Sequence, residues 1–172
     1  MSRFVLDWQR QSDRHFYTVA WQSGDQKRTL LRATGIGNSV VDRRPWPTDP
    51  PLQQVHHGSD KLTPAVGMAG KNHWSLSMEL SANCIVFDAA CRIHEPVELG
   101  SVYDTIGTTF RWDSDGLDLI ARDGPELFRL KSDSNAWATS GSHVLLQVPN
   151  NCPSVPTTAR WKYSLQHTPC DD

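Results

Sequence analysis

The chain has 172 residues, 38% of them hydrophobic and 21% charged, with a formal net charge of −2. That length suits one domain burying roughly 70% of its unfolded surface, and the apolar content is too high for a disordered chain. No apolar run approaches the ~20 residues of a membrane-spanning helix, so an integral protein of that kind is excluded and no membrane partner is expected.

Fifteen Asp stand against four Glu, beside sixteen Ser, twelve Thr, eleven Gly and eleven Pro. Asp, Ser, Gly and Pro are turn formers and Glu is a helix former, so the composition points to many turns and little helix. Residues 3–8 and 15–21 read as strands flanking the polar turn QRQSD, and 28–33 follows SGDQ as a third. Residues 34–72 break the pattern with TGIGNS, RRPWPTDPP, QQVHHGSD and PAVGMAGKN, a long irregular Pro-rich loop. Four prolines between Pro45 and Pro51 preclude a central strand there. Segments of this kind inside a compact domain are usually functional or disordered.

Period-two alternation then returns. In HWSLSMEL, Trp74, Leu76, Met78 and Leu80 share one face, while His73, Ser75, Ser77 and Glu79 share the other. In CIVFDAACRI, Ile85, Phe87, Ala89, Cys91 and Ile93 line up, so 73–80 and 84–93 form a predicted hairpin. A second hairpin is expected from 110–112 and 117–121 around Asp113-Ser114-Asp115-Gly116. Segments 126–131 and 143–148 follow as short strands. Residues 160–166 then set Trp161, Tyr163 and Leu165 against Arg160, Lys162, Ser164 and Gln166, an antiparallel strand wet on one side. The expected fold is one all-β domain over residues 1–172, an antiparallel β-sandwich or flattened β-barrel of about ten to twelve short strands.

The N-terminal segment carries Arg3, Asp7 and Arg10 where a secretory core would be uncharged, so a cytoplasmic location is expected. The four cysteines then read as reduced thiols. Cys84 and Cys91 stand an odd number of residues apart on one predicted strand, so they face opposite sides and cannot pair; if any bridge exists, Cys152–Cys170 is the candidate, because both lie in Pro-containing segments near the C-terminus.

No chemical motif with specific spacing occurs. Seven histidines include the adjacent His56-His57, yet HEXXH, HxH and CxxC are absent, so no metal or other cofactor is expected. Asp113-Ser114-Asp115-Gly116 places its Gly too early for an EF-hand loop. GxSxG, GxGxxG and GxxxxGK[ST] are also missing. Ser101 or Cys91 with His94 and Asp88 could supply a dispersed hydrolytic site, and His143 offers a second centre for one. Residues 1–44 carry +4 and the remainder −6, and this acidic balance argues against nucleic acid as a partner.

Seven tryptophans remain. Trp8, Trp21, Trp74, Trp112 and Trp161 lie in or beside alternating segments and read as core. Trp46, between two prolines, and Trp137, in SNAWATSG, lie in turn-rich stretches where aromatics on a rigid β scaffold can stack a ligand. The sequence therefore favours a non-enzymatic binding or interaction domain for a protein or small-molecule ligand. Arg43, Arg44, Trp46, His56, His57 and Trp137 are its candidate contacts. A small hydrolase and a structural assembly protein are the competing readings.

Overall fold

The computed structural model describes residues 2–34, 49–59, 61–106, 108–113, 116–121, 126–132, 136–148 and 155–168. These residues form fourteen strands and no helix, so none of them lies in a helix able to cross a membrane. The strands are β1 (Ser2–Gln11), β2 (Arg14–Ser23), β3 (Gln26–Ala33), β4 (Leu52–Val55), β5 (Leu62–Ala69), β6 (Asn72–Leu80) and β7 (Cys84–Ile93). They continue as β8 (Gly100–Thr105), β9 (Thr108–Asp113), β10 (Gly116–Ala121), β11 (Leu127–Ser132), β12 (Ala136–Ser140), β13 (His143–Gln147) and β14 (Thr157–Thr168).

Two open antiparallel sheets make a β-sandwich. The smaller has the order β1-β2-β3-β8-β13-β12, the larger β4-β5-β6-β7-β14-β11-β10-β9. The open edges decide between the two expected architectures in favour of the sandwich.

Alternation fills the core much as the sequence implies, although Trp112 of β9, expected in the core, is 49% exposed. Trp74, Leu76 and Met78 of β6 are buried, as are Ile85, Phe87, Ala89, Cys91 and Ile93 of β7 and Trp161, Tyr163 and Leu165 of β14. In the smaller sheet both Leu30 and Leu31 are fully buried. Two successive residues reach the core because the β2–β3 register shifts between Val19 and Ala20, and such a bulge turns an extra residue to the same side.

Ring contacts show how the sheets cross. Trp21 of β2 packs on Phe128 of β11 at 5.5 Å and on His167 of β14 at 4.4 Å. Tyr17, further toward the start of β2, stacks on Phe87 of β7 at 6.1 Å, and β2 also approaches β4. One strand of the smaller sheet thus traverses several strands of the larger.

The irregular region expected at 34–72 is divided: β4 and β5 lie within it. Strand β5 escapes notice because its core face carries Thr63, Ala65 and Gly67, while Leu62, Val66 and Met68 point outward. Its Pro64 sits just past the Val55–Ala65 pair that ends β4, where a carbonyl suffices, and the His56 N–H donates to it at 2.9 Å. Gly67 is required by close approach. A Cβ there would stand 1.7 Å from the Pro51 carbonyl oxygen, so only glycine lets β4 lie against β5.

Candidate functional site

The four sheet edges are unequal. β4, β9 and β12 have four, six and five residues, whereas β1 has ten. Among the described residues β1 pairs on one side only, through an unbroken register from Ser2–Ser23 to Gln11–Arg14. A long edge strand presents a row of backbone donors and acceptors able to accept another strand.

A groove of about 930 Å³ runs along this edge. Six consecutive residues of β1, Arg3, Phe4, Val5, Leu6, Asp7 and Trp8, line one side. Side chains alternate between faces of a strand, so a cavity on one face would take every second residue. Contact with six in succession means that the groove follows the backbone edge. His57, Gly58 and Ser59 complete the lining, with Thr63 and Leu80 from the ends of β5 and β6.

Local bonds hold the 57–59 segment. Gly58 N–H donates to the His56 carbonyl at 3.0 Å, folding the chain tightly around His57. Ser59 Oγ accepts from the backbone N–H groups of Lys61 at 3.3 Å and Leu62 at 3.0 Å, fastening the segment to the start of β5. On the other side Asp7 Oδ2 meets Lys27 Nζ at 2.6 Å, both side chains being half exposed.

The sequence-derived contacts are dispersed. His57 lines the groove, and His56 precedes it on the same exposed segment. Trp137 lies on β12 rather than in a loop, its ring set edge-on to Tyr163 at 5.6 Å and packed against the core. Arg43, Arg44 and Trp46 lie outside the described residues, as do Cys152 and Cys170. The β1 residues were legible as a strand but not as a site, because being an edge is a property of the sheet order.

The groups proposed for hydrolysis have other engagements. Ser101 Oγ is buried and accepts from Trp161 Nε1 at 3.2 Å and from the Tyr163 hydroxyl at 3.0 Å. Asp88 accepts from Arg160 at 2.8 and 2.5 Å, and that hydrogen-bonded guanidinium holds its carboxyl below the usual range. Asp118, beside the expected turn, is buried beneath Arg129, whose two bonds measure 2.6 and 3.1 Å, and Arg111 at 3.3 Å. Two guanidiniums thus compensate its charge. Among the described residues no group of three or more His, Cys, Asp or Glu is placed to hold a metal ion.

A dense polar cluster is sealed inside the sandwich. Tyr103 hydroxyl bonds to Tyr17 hydroxyl at 2.6 Å and to Tyr163 hydroxyl, and Tyr163 continues the chain to Ser101. Burial above all pushes all three phenols up, with the charge of buried Asp49 adding to it. The three tyrosines are themselves almost wholly buried, so this cluster binds the sheets to each other rather than meeting solvent. Comparison with protein-family models, curated proteins and solved structures finds no match to the chain.

Proposed function

We propose that the protein is a non-enzymatic interaction domain whose groove receives an extended polypeptide strand along β1. The supporting observation is the run of six successive β1 residues along the groove. Main-chain bonding to an exposed edge is a recurrent way of capturing extended segments.

Gly58 provides the test. Nothing lies within 4 Å of a Cβ built there, so a side chain at this position starts in open space, and Gly58→Trp sets an indole on the groove lining. Linear peptides selected from a displayed random library should bind the parent protein and lose binding to Gly58→Trp at an unchanged melting temperature. On binding, amide exchange should slow at Phe4, Leu6 and Trp8. Selected peptides that bind both proteins equally, or that protect amides elsewhere, would overturn the reading.

A further inference from the structure

We infer that the strand taken up by the groove is β1 of a second copy, paired antiparallel with Val5 on the two-fold axis. The inference rests on the reading of β1 as a strand-accepting edge and names its occupant.

Backbone geometry restricts the pairing first. The β1–β2 hairpin closes through two residues, Ser12 and Asp13, with Ser12 at φ 56°. In such a hairpin the closing pair, Gln11–Arg14, exchanges both main-chain bonds, and bonded pairs alternate from there. Residues 3, 5, 7 and 9 therefore direct their N–H and C=O groups to β2. Residues 4, 6 and 8 direct theirs outward into the groove. A second strand must present its own even-numbered residues to these.

Side chains then select the register. Centring the pair on Val5 sets Phe4 opposite Leu6 of the partner subunit, a match of outward-bonding residues. It also sets Arg3 opposite Asp7 of the partner subunit, and the two-fold axis repeats this pair. These are non-hydrogen-bonded positions, where facing side chains come closest. Neighbouring registers lose the match: centring on Leu6 sets Arg3 against Gln9 of the partner subunit, and centring on Asp7 opposes two carboxylates. The Lys27 contact occupies Asp7 Oδ2, and a carboxylate accepts several donors.

The inner face agrees with this register. Phe4 is buried and packs against Trp21 and Phe128, while Leu6 and Trp8 border the same core. An axis perpendicular to the sheet keeps inner faces together, so Phe4 and the partner's Leu6 extend one apolar layer. The two six-stranded sheets become one of twelve.

Sedimentation velocity over a wide concentration range tests this, using charge reversals. Arg3→Asp alone opposes two carboxylates twice across the axis, and Asp7→Arg alone opposes two guanidiniums. Each should weaken self-association by about 30-fold, at the scale of cross-strand ionic pairs. The double variant restores opposite charges and should recover the dimer. Mixing the two single variants should give heterodimers, which a folding defect in either could not produce. A protein that stays monomeric at every concentration while its groove takes library peptides overturns self-pairing and leaves the strand-accepting edge standing. A monomer whose groove takes no peptide overturns both. A dimer indifferent to the reversals, or a double variant that fails to recover it, also overturns the proposal.

Discussion

The tyrosine cluster makes alkaline unfolding a direct reading of the core. The chain has three tyrosines, and all three are in the hydrogen-bonded group between the sheets. Burial is the main reason each phenol holds its proton beyond the ordinary value near 10. Between the unfolded and folded values the native state binds more protons than the unfolded chain, so stability is complete below about pH 10 and falls above it. Three protons released together give a slope of about 4 kcal/mol per pH unit. A domain with ~5–10 kcal/mol of stability would exhaust it within about one to three pH units. Tyrosinate absorbance and tryptophan fluorescence should therefore change at one pH, in a step steeper than a single-site titration. A gradual tyrosinate signal centred near pH 10 under native fluorescence would refute the reasoning. So would a one-third amplitude arriving early, since it would place one phenol in water.

Two further outcomes test the packing. Gly67→Ala drives a methyl into the Pro51 carbonyl, which is backbone and cannot swing aside. It should cost about 1–3 kcal/mol, lower the melting temperature by roughly 3–10 °C and speed amide exchange in β4, and an unchanged melting point would contradict that contact. His167 stacks on Trp21, and partial burial lowers its pKa while the Glu126 charge opposes the shift. Its neutral ring is favoured in the fold, so its contribution is full above about pH 6.5 and is lost as pH falls through the depressed native value. The melting temperature of the parent should consequently drop more between pH 7 and 5 than that of His167→Phe. Parallel curves would remove His167 from the account.

The parts legible in the sequence were those whose signal is local. Trp74-Leu76-Met78, the facing row from Ile85 to Ile93, and Trp161-Tyr163-Leu165 alternate because one face of each strand is buried. Strand β8 gave no such signal, since Gly100, Ser101, Val102 and Tyr103 are buried in succession. That sealed position is also why Ser101, plausible as a nucleophile from its residue type, is an acceptor for Trp161. Strand β5 hid behind small inward residues, and β12 is a short edge strand half buried along its described side chains, so Trp137 read as a loop aromatic. For the groove, His57 was recognisable from its exposed loop, but the β1 part of its lining depends on β1 lying outermost. That order follows from β3 pairing with β8, about seventy positions along the chain. No window of local sequence contains it.

Strand β14 has a consequence for synthesis. The last of the described strands lies in the interior of the larger sheet, joined to β7 through ten residue pairs and to β11 through six. Until residues 157–168 have been made, β4–β7 and β9–β11 are separate pieces, each with an apolar strand edge exposed. At ~5–20 residues per second, the 75 residues between the ends of β7 and β14 take roughly 4–15 s. For that interval the nascent chain carries two unsatisfied edges, Ile85 to Ile93 on one and Leu127 to Ser132 on the other. Intermolecular pairing competes most strongly there.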